Sequence, residues 1–169
     1  MLTMLLLTLG LAQAQGPKMI PADAVDLLGR TAPEFELTDL DGAPFKLSDQ
    51  RGKKVVLSFW ASWCAPCRAE LPALDALQKE RSDIAVFAVN VDRDPQLARR
   101  FLAQVPIDLP IVWDPDSLAL GQYEVLSMPT MFYIDANGTV KFRKTGFSQE
   151  NGLRELIDAL DGKRAATGK

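Results

Sequence analysis

The sequence predicts an α/β fold in which a central mixed β-sheet is covered by helices on both faces. Residues 55–60 (VVLSFW) and 84–91 (IAVFAVNV) are almost continuously apolar, the signature of strands buried on both faces. Between them Leu71, Leu74, Leu77 and Gln78 recur at helical spacing over 65–81, so the order is strand, helix, strand and the two strands run parallel. Late in the chain, residues 131–134 and 139–142 flank Asp135-Ala136-Asn137-Gly138, an antiparallel hairpin in which Asn137-Gly138 is expected to supply the positive φ angles. With 169 residues, 47% of them apolar and 24% charged, the chain suits one domain with a full core.

The remaining elements follow in chain order. Residues 1–14 carry no charge, contain the apolar run 5–11, and end in Ala12-Gln13-Ala14, a small-x-small pattern that suits a signal peptidase. They read as an export signal, with an uncleaved membrane anchor as the alternative, since the first positive charge is Lys18. No cysteine lies near the cleavage site, which argues against a lipid anchor there. Residues 15–32 read as a loose lead-in, and the domain proper as 33–161. It opens with a hairpin over 33–47 around Asp41-Gly42, an N-terminal extension to the sheet. Asp94-Pro95 is an N-cap followed by proline at the first helical position, which opens an inserted helix through about Gln104. Its Leu97, Phe101 and Val105 are expected to face the core. Asp114-Pro115 repeats the signature for a short helix stopped near Gly121. Ser148 is expected to cap a last helix whose Leu153, Leu156, Ile157 and Leu160 form one stripe. The tail, 162–169, is small, basic and expected to fray.

Composition removes whole classes of chemistry. Nineteen basic against twenty-two acidic side chains give a net charge of −3, without the basic footprint of nucleic-acid binding. There is no histidine. That eliminates Ser-His-Asp and Cys-His nucleophile pairs, histidine proton shuttles and most zinc, copper and non-haem iron sites. The two cysteines, Cys64 and Cys67, are then where reactive chemistry is expected, and export would place them where disulfides persist.

Trp63-Cys64-Ala65-Pro66-Cys67 lies between a buried strand and a helix. A thiol at a helix N-terminus meets unpaired N–H groups and the positive end of the macrodipole, which stabilise the thiolate that alone attacks a disulfide. A spacing of three brings Cys67 to the same side of the first turn. Pro66 is tolerated there because first-turn residues need no helical N–H bond. A purely structural disulfide closing so short a loop would restrict little chain entropy. A metal site would need about four ligands where two thiolates are present, leaving only a site shared between two copies of the chain.

Residues 59–72 (FWASWCAPCRAELP) resemble the active-site stretch of the thioredoxin superfamily, in particular exported thiol–disulfide oxidoreductases of the ResA/TlpA kind. The likeness runs from about Pro33 to Leu160. It includes Ala32-Pro33 with Phe35 and Leu37, the extra segment 95–115, and Met128-Pro129-Thr130. The resemblance implies a thioredoxin-like fold and a catalytic pair in which Cys64 attacks and Cys67 resolves the mixed disulfide. It implies that Pro129 is a cis-proline beside the dithiol, that the Met128 backbone is presented to an extended substrate, and that Trp63 shields one side of Cys64. Pro72 matches a proline that kinks the active-site helix. Glu70 matches an acid that tunes the cysteines or moves their proton, although an acid in a first helical turn can also simply complement the dipole. Ser58 stands where thioredoxin has a buried acid, which leaves Glu70 or a water-linked route as proton acceptor. Arg68 is either a source of positive potential or a solvated helix charge.

By resemblance the activity is reduction of protein disulfides, without cofactor or metal, by a monomer. The implied partners are disulfide-bearing secreted proteins, an apocytochrome c of cytochrome c maturation among them, and a membrane thiol electron donor. A peroxiredoxin-like peroxidase shares the opening hairpin but needs a threonine where Ala61 stands, three residues before Cys64. An Sco-like copper carrier needs Cys-x-x-x-Cys and a histidine, both lacking.

Overall fold

The computed structural model describes residues 27–148 and 152–163; the expected signal, most of the lead-in and the tail beyond 163 lie outside the described residues. Strands β1 (Glu36–Asp39), β2 (Pro44–Lys46), β3 (Lys54–Trp60), β4 (Ile84–Asn90), β5 (Ile111–Trp113), β6 (Thr130–Ile134) and β7 (Val140–Thr145) join in one sheet, ordered β2-β1-β5-β4-β3-β6-β7. β3, β4 and β5 are parallel, and the other pairings are antiparallel. The helices are α1 (Cys67–Glu80), α2 (Pro95–Gln104), α3 (Leu118–Gln122) and α4 (Arg154–Leu160). None among the described residues is long and apolar enough to cross a membrane.

The two-residue period of β3 divides the core. Val56 and Trp60 pack with Leu71, Leu74 and Leu77 of α1, Ala98 and Phe101 of α2, and Leu156 and Leu160 of α4. Val55, Leu57 and Phe59 point the other way, toward Phe35, Leu47, Ala119 and Tyr123. Helices thus cover both faces, three on one and α3 on the other. Fully burying a leucine or phenylalanine contributes about 1.5–3 kcal/mol, so the α1 leucines alone justify the parallel unit.

Several expectations need correction. β5 lies in a stretch where no strand was expected. α3 begins at Leu118 rather than beside Pro115, after Ser117 in a left-handed conformation. Asp114 still caps it from a distance, its carboxylate accepting from the backbone N–H groups of Leu118 (2.7 Å) and Leu120 (2.9 Å). The β6–β7 turn uses positive φ at Gly138 alone, while Asp135 Oδ1 takes the N–H groups of Asn137 and Thr139 and a register shift near Ile134 absorbs the extra residue. Residues 27–32 are no loose lead-in: Leu27 and Ala32 are buried, and Gly29 N–H donates to Val140 O and Ala32 N–H to Gly138 O, each at 2.8 Å. Phe101 and Val105 face the core as expected, but the third inward residue of that stripe is Ala98, and Leu97 is exposed. α4 starts at Arg154 with Leu153 as its N-cap, so Ser148 does not cap it.

Candidate active site

The register places the site. Trp60 pairs with Asn90 and Phe59 with Thr130, so the end of β3, the end of β4 and the start of β6 share one edge of the sheet. Leaving β3 there, the chain turns through residues 61–66, with Cys64 N–H donating to Ala61 O at 3.0 Å. Pro66 is the N-cap and α1 starts at Cys67, two residues later than the sequence pattern suggested. Cys64 and Cys67 are joined, with their Cα atoms 5.4 Å apart. Cys67 is wholly buried and Cys64 keeps 4% of its surface exposed. Cys64 thus keeps the little surface the pair leaves open, at the positive end of α1.

Glu70 is one turn beyond Cys67, on the same side of the helix, and is fully buried. Its Oε2 accepts a 2.9 Å hydrogen bond from Ser58 Oγ, while Oε1 has no partner. Burial pushes the Glu70 carboxyl up to about 7, against the opposing pull of the Ser58 hydrogen bond and the Lys144 charge. Ser58 pairs with Met131 and Met131 with Lys144, a row across β3, β6 and β7 that puts all three on the α1 face. The acid that thioredoxin carries on this strand is thus replaced by a serine that anchors an acid from the helix.

The Met128–Pro129 peptide bond is cis. Pro129 O accepts from Gly146 N–H at 2.7 Å, and Thr130 Oγ1 donates to Ser127 O at 2.8 Å, fixing the segment on both sides. Met128 packs against the cluster that contains both cysteines. Trp60 is core, its ring 4.8 Å from that of Phe101. Trp63 stands 71% exposed beside Cys64 in sequence, and Leu126, on the approach to Pro129, is 92% exposed. Arg68 is neither free nor aimed at the cysteines: it donates to Gln104 Oε1 (3.0 Å) and stacks over Phe101, tying α1 to α2.

Sequence reasoning missed one feature of this edge. The carboxylate of Asp92, just past β4, accepts both the backbone N–H and the hydroxyl of Ser62, two residues before Cys64. The only sequence signal was two polar residues, Asn90 and Asp92, closing an apolar strand.

A family profile described as AhpC/TSA matches residues 28–143. The thiol-disulfide oxidoreductase ResA of Geobacillus kaustophilus is 37% identical over 135 residues, 79% of this chain and 78% of that protein. Among solved structures, one described as a thiol:disulfide interchange protein DsbE from Chlorobium tepidum superposes with a TM-score of 0.75 at 38% identity, covering 80% of this chain and 96% of the other. The exposed lipoprotein thioredoxin Etrx1 of Streptococcus pneumoniae gives a TM-score of 0.65 at 33% identity, over 75% and 98% of the two chains.

Proposed function

This chain belongs to the AhpC/TSA family, with a thioredoxin-like fold, and is a thiol–disulfide oxidoreductase; on that premise we propose that it works outside the cytoplasm as a reductant of protein disulfides. The observation that carries this reading is the Cys64–Cys67 pair at the start of α1, with Cys64 the less buried of the two residues and a buried acid one turn beyond Cys67. Cys64 thiolate attacks one sulfur of a client disulfide, and the other client sulfur leaves as a thiolate. Cys67, giving up its proton, then attacks Cys64 Sγ. The second client thiol departs and the Cys64–Cys67 disulfide closes. Two electrons have passed to the client, and a membrane thiol donor must return them.

Glu70, held near neutrality in its proton affinity, is placed to take the Cys67 proton during resolution. Pro129 and the Met128 backbone receive an extended client segment, and Trp63 supplies apolar surface beside the attacking sulfur. Disulfide-bearing exported proteins are the clients, an apocytochrome c among them; residues 1–14 are the export signal that brings the chain to them. A peroxidase is not favoured, since Ala61 offers no hydroxyl where that chemistry needs one.

The deciding measurement is the reduction potential of the Cys64–Cys67 couple in the chain from residue 15 onward, in a dithiothreitol buffer. A value near or below the thioredoxin end of the dithiol range, about −270 mV, is expected. A value near the oxidising end, about −120 mV, would make the protein a disulfide donor and overturn the assignment.

A further inference from the structure

We propose that Asp92 is a positioning residue for the dithiol, one that holds the 61–66 loop through Ser62 so that Cys64 stays within bonding reach of Cys67 when the two are reduced. The inference deepens the dithiol reading above and rests on it.

Asp92 is 4% exposed, and both of its carboxylate oxygens are engaged. Oδ1 accepts from Ser62 Oγ at 2.9 Å; Oδ2 accepts from Ser62 N–H at 2.8 Å and from Asn90 Nδ2 at 2.9 Å. The residue is itself fixed. Its N–H donates to Asn90 Oδ1 (3.1 Å), and its carbonyl accepts from Trp113 Nε1 (2.7 Å). The flanking chain is tied in as well, with Val91 N–H on Trp60 O and Asp114 N–H on Asn90 O. A buried carboxylate is expensive unless its lone pairs are matched. Here two of the three matching donors come from the loop that carries Cys64, thirty residues away in sequence.

Reduction of the pair takes two electrons and two protons, breaks the S–S bond and leaves two thiols. In the oxidised form that bond restrains the loop. In the reduced form only non-covalent contacts do, and the paired hydrogen bonds of Ser62 to Asp92 fasten the loop to the end of β4. The stability of an intramolecular disulfide depends on the effective concentration of one thiol near the other. Removing the tether frees the reduced loop more than the oxidised one, so it should favour the dithiol and raise the potential.

The test compares wild type, Asp92→Ala, Asp92→Asn and Ser62→Ala in dithiothreitol redox buffers, together with urea unfolding of each in both oxidised and reduced forms. Asp92→Ala is expected to lower the equilibrium constant for disulfide closure about tenfold, a rise of about 30 mV. Asp92→Asn, keeping one acceptor oxygen, should fall between it and wild type, and Ser62→Ala should shift the constant several-fold. A tether that only supports the fold would destabilise oxidised and reduced forms equally and leave the constant unchanged, and that result overturns the proposal. If Asp92→Ala does not fold, Ser62→Ala decides alone, since an unchanged constant there has the same meaning. Absence of any reversible couple in wild type would instead sink the dithiol reading.

Discussion

At the Lys54 end of β3, carboxylates sit among cations and water. Asp83 is bound by Arg81 through two nitrogens at 2.9 Å and by Lys54 at 3.0 Å, and Arg81 also reaches Asp161 at 2.7 Å. Those hydrogen bonds, Arg81 first, hold the Asp83 carboxyl below the usual carboxylate range. At the Trp60 end, Glu70 is buried with one bare oxygen, and the buried indole N–H of Trp60 also lacks a partner. Its proton affinity moves the opposite way, up to about 7. The same functional group, at two ends of one strand, becomes either a fixed charge or a group that exchanges its proton near neutral pH. What differs is the supply of water and of opposite charge. Reactive groups in sheets with parallel strands gather at the carboxyl ends, where the loops diverge, and this sheet follows that rule.

The largest effect should come from the reactive edge itself. Cys64→Ser removes the attacking sulfur and should abolish turnover with a protein disulfide such as insulin, whereas Cys67→Ser should still attack and then accumulate the mixed disulfide. Turnover retained by Cys64→Ser would break the contrast, because the edge would then not be where the electrons pass.

Glu70→Gln sharpens the contrast through stability. A carboxyl whose folded value is raised from 4.5 to about 7 is bound to its proton more tightly in the native state. The stability this gives is fully present below the unfolded value and is lost as pH rises toward 7, at a cost of roughly 3 kcal/mol once both states are ionised. Glu70→Gln cannot ionise, so it should be more stable than wild type at pH 8 by up to about 3 kcal/mol and little changed at pH 4. Urea unfolding of the oxidised forms across that range checks it. A wild-type stability that stays flat between pH 4.5 and 7 would show that the oxygen without a partner is solvated after all.

The two ends were not equally legible in the sequence. The buried strand at 55–60, the α1 leucines, the Asp94 N-cap with its 2.9 Å bond to Gln96 N–H, and the cysteine pair are local patterns, and each element forms near its pattern. Glu70 could be named from its spacing to Cys67, but its bond to Ser58 joins a helix to a strand and depends on how the two pack. β5 is three residues long, too short for a period to register, and is held by pairing with β4 and β1. Asp114 looked like a local cap and acts across four and six residues instead. Asp92 is the extreme case, since its meaning lies entirely in a contact with Ser62 that only the parallel β3–β4 register creates.

Asp83→Asn provides the smallest effect and the complementary control. Its side chain is 46% exposed and Arg81 keeps Asp161 as a second partner, so solvent screening limits the loss to under about 1 kcal/mol near neutral pH. The sign is opposite to that at Glu70. A lowered folded value gives stability that is present above the unfolded value of 3.8 and is lost as pH falls. Wild type and Asp83→Asn should therefore converge in acid, and also in 1 M salt, where the screening length is about 3 Å. The reduction potential should not move, because Asp83 lies at the opposite end of β3 from the turn that carries the dithiol. A potential that shifted with Asp83→Asn would mean that the two ends of β3 are coupled through the strand, and the division of labour between them would fail.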